Sequence, residues 1–294
     1  MFDQPYILVA SDFSHGSDLA IKAGEELRIK TGGRLHVVHI AKYPQELDWL
    51  GKAFLETYVP ENYLDILISE LNSKLHSQLK RCEVHAEQEI VYGQNKILTL
   101  KGLIQQTGVD IIILGHNSSA WNPWHLGGFV SKVVSTSKIP VMVVKKEFQL
   151  QKIASLIDPA NISLRLIKVC EEISRIYKSR PFFISLLPDL PSIYSKSVNF
   201  STFDRKEMEE RTQLSVFKQT NSELVPVIKV LFDKDLNPNK SLSHALANEE
   251  IDLALVQRNQ TGLIEKFLMG SQTRNVLENF EGNILVLPPN EESV

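Results

Sequence analysis

Short apolar runs alternate along this chain with segments whose apolar residues recur every three or four positions. Residues 6–10 form such a run, which stops at a polar Ser-Asp-Phe-Ser turn, and Leu19, Ala20, Ala23 and Leu27 then follow at helical spacing. Runs that are apolar throughout predict buried parallel strands, and the recurring positions predict amphipathic helices. The alternation therefore predicts α/β domains in which helices cover both faces of a parallel sheet.

Five strands are predicted in each half of the chain. In the first half they span residues 6–10, 35–40, 83–91, 110–114 and 140–144, and in the second half 153–157, 182–187, 225–232, 252–256 and 283–287. A long helix is predicted from the apolar stripe Leu64, Leu67, Ile68, Leu71, Leu75 and Leu79, which we expect to pack into the core. A charged stretch at 145–152 predicts the boundary between the halves.

One sequence pattern occurs twice, 142 residues apart. The first copy is VDIIILGHNS (109–118), nine residues, then GFVS (128–131); the second is IDLALVQRNQ (251–260), nine residues, then GSQT (270–273). The copies align without a gap, which indicates a duplicated domain. We therefore predict two domains, 1–148 and 149–294, each long enough to bury its own core.

The composition argues against several classes of function but does not identify the function itself. The net charge of −3 and the pI near 6.3 give no basic signature for nucleic acid. Cys82 and Cys170 lie outside any Cys/His cluster, so reduced thiols are expected and no metal is. The N-terminus lacks the features of a signal peptide and no apolar stretch is long enough to cross a bilayer, so we expect a cytoplasmic protein without a membrane partner.

Three sequence features together resemble the universal stress protein family. They are the strand start ILVASDFS (7–14), the strand end VVHI (37–40) and the doubled turn, which is similar to the family pattern Gly-x-x-Gly, nine residues, Gly-Ser/Thr. The resemblance covers nearly the whole chain as a tandem pair. It implies two similar doubly wound parallel-sheet domains, each a three-layer sandwich of the nucleotide-binding α-hydrolase type, and a role in regulating the stress response.

The resemblance also implies a nucleotide site. In ATP-binding members the strand-end Asp and the end of the second strand meet the adenine, and the glycines and the Gly-Ser/Thr stretch approach ribose and phosphates. Glycine permits close backbone approach, and a helix start attracts anions. In the first domain the matching positions are Ala10, Ser11, Asp12, Ile40, Gly115, His116, Ser118, Gly128, Phe129, Val130 and Ser131. In the second, weaker site they are Asp158, Gly270, Ser271, Gln272 and Thr273.

Both copies depart from the family pattern, at different positions. The first has Ser118 in place of Gly and Phe129 in place of Ser or Thr, so a phosphate-binding hydroxyl is lost. The second has Gln257 and Gln260 in place of both early glycines, and the long side chain of Gln257 is expected to fill its own pocket. The first domain is therefore the better candidate for binding ATP or another adenine nucleotide, with reduced affinity.

Other interpretations of these residues stay open. Asp12 and Asp158 are either ligand groups or N-caps of the following helices, and Ser131 and Thr273 have the same two interpretations. The loop that carries Trp121 and Trp124 either stacks on a base or a partner, or packs on its own domain.

Three functions compete on this sequence. The leading hypothesis is a regulatory protein that binds an adenine nucleotide in its first domain. The alternative is a scaffold or binding module with two degenerate pockets, which acts through a protein partner or a small apolar ligand. A slow ATPase ranks third, because the chain lacks the motifs of known catalytic sites.

The fifth strands carry the prediction about assembly. Residues 140–144 and 283–287 are short and apolar, and we expect them at sheet edges, where strands invite pairing. In the resembled family this strand mediates dimerisation. We therefore expect the two halves to form an internal pseudo-dimer, with a homodimer as a further option.

Overall fold

The structure is a computed structural model in which residues 2–42, 63–116, 128–158, 162–188, 202–220, 225–233, 238–258, 276 and 279–289 are described. These residues fall into two compact units that part between Lys145 and Lys146. The division lies within the charged stretch that was expected to hold the boundary. The two units are called the first and second domain below.

The first domain is built on a five-stranded parallel sheet. Its strands are β1 (Tyr6–Ser11), β2 (Arg34–Ala41), β3 (Glu87–Tyr92), β4 (Ile111–Gly115) and β5 (Val141–Val144). They lie in the order β3-β2-β1-β4-β5, and every adjacent pair is parallel. Three consecutive residues of β1, Ile7, Leu8 and Val9, are fully buried, which requires cover on both faces of the sheet.

Four helices of the first domain are described. They are α1 (His15–Thr31), α2 (Tyr63–Cys82), α3 (Lys96–Thr107) and α4 (Gly128–Thr136). α1 and α3 each end at a glycine in the left-handed conformation, Gly32 and Gly108, as expected for helix C-caps. The side chain of Asn95 caps the start of α3 by accepting hydrogen bonds from Ile97 N and Leu98 N.

The second domain repeats this topology. Its strands are β6 (Ile153–Ile157), β7 (Pro181–Pro188), β8 (Val227–Asp233), β9 (Leu253–Gln257) and β10 (Asn283–Leu287), and its described helices are α5 (Leu164–Ile176), α6 (Thr202–Phe217) and α7 (Pro238–Asn248). The strand order β8-β7-β6-β9-β10 is the counterpart of the first, and all of its pairs are parallel. The predicted fold class, two similar doubly wound parallel-sheet domains, is confirmed.

Two predictions about local structure need correction. The third strand begins at Glu87 and not at residue 83, because α2 ends in a tight turn. There Glu83 takes a positive φ of 59° and the Val84 N–H donates to Leu79 O. In the leucine stripe of α2, Leu75 and Leu79 are buried, but Ile68 is 38% exposed, so only the second half of the stripe enters the core.

Several predicted elements lie outside the described residues. They are almost all of the loop between residues 41 and 60, the Trp121/Trp124 loop, the Ser/Pro-rich segment 189–199 and most of the predicted helix 273–279. In the described ranges, no helix is long and apolar enough to cross a membrane.

Both cysteines are free and buried. Burial raises the pKa of the Cys82 thiol to about 11, and burial likewise raises the pKa of Cys170. The thiols are therefore protonated at neutral pH, and the expectation of unpaired cysteines is confirmed.

Candidate functional site

Three parallel strands of the first domain end side by side at one edge of the sheet. The register places Ala10 beside Leu114 of β4, and Ser11 beside His39 of β2. A pocket of about 190 Å³ opens at this edge. Its lining residues are Ala10, Ser11, Asp12, Ser17, Ile40, Lys96, Leu114, Gly115, Phe129 and Val130.

Most of the residues predicted for the first site therefore meet at one pocket. Seven of the eleven line it; His116, Gly128 and Ser131 are described but are not among the lining residues, and Ser118 lies outside the described residues. The backbone N–H of His116 donates to Val144 O at 2.8 Å, which continues the pairing of β4 with β5. The pocket follows the rule that parallel sheets bind ligands at the carboxyl ends of their strands.

The loop from β1 to α1 corrects the N-cap interpretation of Asp12. The cap of α1 is Ser14, whose hydroxyl accepts a hydrogen bond from Ser17 N. The exposed Asp12 carboxylate accepts from Ser14 N at 3.0 Å through one oxygen, Oδ1. Asp12 thus stabilises the loop that carries the cap and still presents its carboxylate at the pocket.

Gly115 is explained by packing inside the domain. A Cβ at this position would lie 2.1 Å from Gly16 O and 2.6 Å from Ser17 N, both backbone atoms at the start of α1. No side chain fits there, because those backbone atoms cannot move without displacing the helix. Gly115 therefore allows α1 to lie close to the sheet.

The start of α4 forms another wall of the pocket. Phe129 is half-buried and Val130 is buried, and both line the pocket, whereas Gly128 is exposed and has no described atom within 4 Å of a Cβ built on it. Ser131 is the fourth residue of α4, so the interpretation of Ser131 as its N-cap is wrong. The first four N–H groups of an α-helix have no partner within the helix, which makes this end favourable for an anion.

His39 lies beside the pocket in a fixed orientation. Its Nδ1 is 2.9 Å from Ser11 O, so Nδ1 carries the proton and donates to that carbonyl, and its ring stacks on Phe13 at a centroid distance of 4.2 Å. Phe13 takes a positive φ of 65°, a conformation that is strained for a bulky residue. Burial lowers the pKa of His39, with a further contribution from the charge of Lys96.

A buried hydrogen-bond network supports the pocket from below. Ser11 Oγ donates to Gln78 Oε1 at 2.6 Å, and Gln78 Nε2 donates to Ser17 Oγ at 2.9 Å and to Asp18 Oδ1 at 2.6 Å. Gln78 is 1% exposed, so these bonds replace water that it cannot reach. Through Gln78, α2 holds the end of β1 and the first turn of α1 in place.

Asp18 connects this network to the surface. Arg81 donates to both of its carboxylate oxygens, at 2.7 Å to Oδ1 and 2.9 Å to Oδ2. Burial by itself would raise the pKa of Asp18, but the hydrogen bonds from Arg81 and Gln78 outweigh burial and lower it. Asp18 is therefore ionised at neutral pH and anchors Gln78.

Comparison with known proteins identifies the family of the first domain. The model of the universal stress protein family matches residues 6–145. This first domain therefore belongs to the universal stress protein family. Membership supports a role in the stress response. No curated protein matches the sequence.

Solved structures extend the similarity of fold to nearly the whole chain. A functionally unknown protein from Pseudomonas aeruginosa PAO1 is 16% identical with a TM-score of 0.68, over 98% of this chain and 94% of that one. A universal stress protein from Archaeoglobus fulgidus DSM 4304 is 14% identical with a TM-score of 0.66, over 96% of this chain and 97% of that one. At such identities the likeness shows the fold alone, here a tandem of two domains.

The second domain differs at the equivalent edge. Asp158 follows β6 and is exposed, while the cap of α5 is Ser163, which accepts from Leu166 N. The N-cap interpretation of Asp158 is therefore wrong. Gly270, Ser271, Gln272 and Thr273 all lie outside the described residues.

At the end of β9, the second copy has Gln257 where the first copy has Gly115. Six residues separate β6 from α5, whereas three separate β1 from α1. The Gln257 side chain donates from Nε2 to Pro288 O at 3.4 Å. Gln257 is half-buried, and its filling of the second pocket stays a prediction.

Sequence reasoning missed three lining residues, Ser17, Lys96 and Leu114. A signal existed for Lys96, because it follows the turn at the carboxyl end of β3, and parallel strands present their carboxyl ends at one edge. A signal also existed for Leu114, the residue before the motif glycine. Ser17 carried none, since only the tertiary fold brings the first turn of α1 against β4.

Proposed function

We propose that this protein is a cytoplasmic, non-enzymatic regulator of the stress response whose first domain binds ATP or another adenine nucleotide with reduced affinity. The observation that carries the proposal is the pocket at the ends of β1, β2 and β4, which joins Asp12 and Ile40 to the start of α4. An exposed carboxylate, an apolar floor and a helix start are the three surfaces that a nucleotide requires: for amino or hydroxyl donors, for the base and for phosphates.

The size of the pocket supports partial enclosure of such a ligand. Its volume of about 190 Å³ is below the range of about 300–1,000 Å³ that is usual for ligand pockets. The nucleoside would occupy the pocket, and its first phosphate would lie inside the pocket next to Phe129. Because Phe129 offers no hydroxyl, fewer charge-assisted hydrogen bonds are available to the phosphates, and the affinity is reduced.

The two motif glycines support different conclusions. Gly115 is required by the packing of α1, so its retention does not argue for a ligand. Gly128 has open space around it and no positive φ, so the described structure gives no packing reason for a glycine there. A phosphate that approaches the backbone of Gly128 closely supplies a reason.

Isothermal titration calorimetry with ATP, ADP and AMP tests the proposal. We expect saturable heat for the wild type, weaker binding for Asp12→Asn, and binding about tenfold tighter for Phe129→Ser, which restores a hydroxyl at the phosphate end. Asp158→Asn is the matched control in the second domain and should bind as the wild type does. Absence of heat and of any thermal shift at millimolar nucleotide would reject nucleotide binding.

A second candidate function is a scaffold module without a nucleotide. It is favoured by Phe129 in the first pocket and by the Gln257 side chain, which bonds its own domain in the second. In that case the protein acts through a protein partner. Mass spectrometry of the purified protein under native conditions separates the two, because co-purified nucleotide excludes the scaffold and its absence, together with flat calorimetry, favours it.

A slow ATPase ranks behind both. Asp12 is the one acidic residue among the described lining of the first pocket, and it accepts a backbone hydrogen bond. Any phosphate release should persist unchanged in an Asp12→Asn, Ser131→Ala double variant, which would identify the activity as a contaminant.

A further inference from the structure

Lys96 introduces a positive charge into the first-domain pocket that the sequence motifs do not explain. It is the first residue of α3, directly after the N-cap Asn95, it is half-buried, and it lines the pocket opposite the start of α4. The strand order β3-β2-β1-β4 places Lys96 at the β3 side of the pocket, and Gly115 and Phe129 at the β4 side. A ligand in this pocket therefore lies between a lysine and a helix start.

The fold gives Lys96 no stabilising role at this position. The N-terminal end of a helix carries a partial positive charge, which disfavours a cation in the first turn. Among the described residues, no carboxylate lies within ion-pair distance of Lys96, whereas Arg34 and Arg81 in the same domain pair with Glu87 and Asp18. A lysine that is half-buried, unpaired within the described part and placed at the wrong end of a helix points to a ligand that supplies the missing anion.

The charge of Lys96 acts across the pocket. It contributes to the lowered pKa of His39, after burial, and Lys74 of α2 contributes in the same direction. Asp12 is the opposite charge nearby, but no ion pair joins it to Lys96 in the described structure. The charge of Asp12 acts in the opposite direction on the pKa of His39 and raises it, so the charges of Lys96 and Asp12 both act on the β2 side of the pocket.

The dimensions make this charge effective for a small ligand. A volume of about 190 Å³ corresponds to a sphere roughly 7 Å across, which is shorter than the Debye length of about 8 Å at physiological salt. An anionic group on a bound ligand is consequently screened only partly from Lys96, wherever in the pocket it lies.

We propose that Lys96 is a specificity-determining residue that makes the first-domain pocket select phosphorylated nucleosides over the corresponding free nucleosides. The inference rests on the proposed nucleotide site and adds the ligand class that this site prefers. Asp12 accepts hydrogen bonds from neutral donors of base or sugar, which both ligands share, whereas Lys96 attracts the phosphate, which the nucleoside lacks.

Calorimetry with AMP and adenosine at low and high salt tests the proposal. We expect the wild type to prefer AMP. Lys96→Met should bind AMP about tenfold more weakly at low salt, the effect of losing one unit charge at this separation near a surface, and should bind adenosine unchanged. Lys96→Arg keeps the charge and should keep the preference. Lys101→Met, on the same helix but exposed and outside the pocket lining, is the matched control.

The possible outcomes distinguish the role of Lys96 from nucleotide binding itself. Equal losses for AMP and adenosine in Lys96→Met, or no loss in either, would overturn the role of Lys96 while leaving nucleotide binding intact. A preference for AMP that does not decline with salt would also contradict it, because the attraction is electrostatic. If the wild type binds neither ligand, the proposed function itself fails and the role of Lys96 fails with it. Thermal unfolding of each variant confirms that it is folded.

Discussion

Replacing Gly115 by alanine should destabilise the first domain strongly. The added Cβ would lie 2.1 Å from Gly16 O and 2.2 Å from Gly16 C, whereas real Cβ atoms essentially never come within 3.0 Å of such neighbours. Relief requires α1 to move by roughly 1 Å against a close-packed sheet. Overpacking of this kind costs about 3 kcal/mol at the upper end of its usual range. For a domain of about 150 residues that corresponds to a fall in Tm on the order of 10 °C.

Gly128→Ala is the matched control for this experiment. No described atom lies within 4 Å of its Cβ, and its φ is not positive, so the variant should be as stable as the wild type or up to about 1 kcal/mol more stable. If Gly128 serves a phosphate, the same variant should lose affinity for AMP. One glycine would then be structural and the other would serve binding, although both belong to one motif.

Urea unfolding followed by tryptophan fluorescence measures the effect. All three tryptophans of the chain, Trp49, Trp121 and Trp124, belong to the first half of the sequence, and far-ultraviolet circular dichroism follows the unfolding of the helices in parallel. The midpoint for Gly115→Ala should fall by on the order of 1 M. A midpoint within error of the wild type would refute the packing explanation of Gly115.

Three further predictions concern the surroundings of the pocket. Gln78→Leu leaves the buried Ser17 hydroxyl without its hydrogen bond from Gln78, and we expect the same urea assay to show a loss of about 2–3 kcal/mol; a loss below 0.5 kcal/mol would show that the network contributes little. Burial lowers the pKa values of His36 and His39, so unfolding takes up protons and the free energy of unfolding should fall as the pH drops below about 6.5; equal values at pH 7.5 and pH 5.5 would contradict this. Asn95→Ala removes the N-cap of α3 and should cost about 1 kcal/mol, whereas Asn95→Asp should retain the cap.

The duplication and the fold could be predicted because both depend on local patterns. Apolar runs of four to eight residues specify buried strands wherever they occur, and the repeat at 142 residues requires both halves to share one topology. The same patterns placed Asp12, Ile40 and Gly115 at strand ends and so indicated one edge of the sheet. For residues within such elements, the neighbouring residues in the sequence are enough to predict the element and its burial.

Helix caps were less predictable from the same patterns. Asp12 and Ser14 are both good capping residues, as are Asp158 and Ser163, and the sequence alone does not say where the helix begins. The length of the loop decides, and this length is set by how closely the helix approaches the sheet. The exposure of Ile68 in the stripe of α2 has a similar origin, since helical spacing shows which residues share a face but not how far the cover extends.

The sequence by itself therefore determined two parallel α/β domains, their strand ends and a motif of the universal stress type. Only the tertiary structure decided that the backbone of α1 fills the space beside Gly115, that Gln78 holds Ser11 and Ser17 together, and that Lys96 and Asp12 line one pocket. The physical reason is sequence distance. Periodicity encodes burial within each element, but contacts between elements 60 to 100 residues apart depend on the packing of whole helices against the sheet.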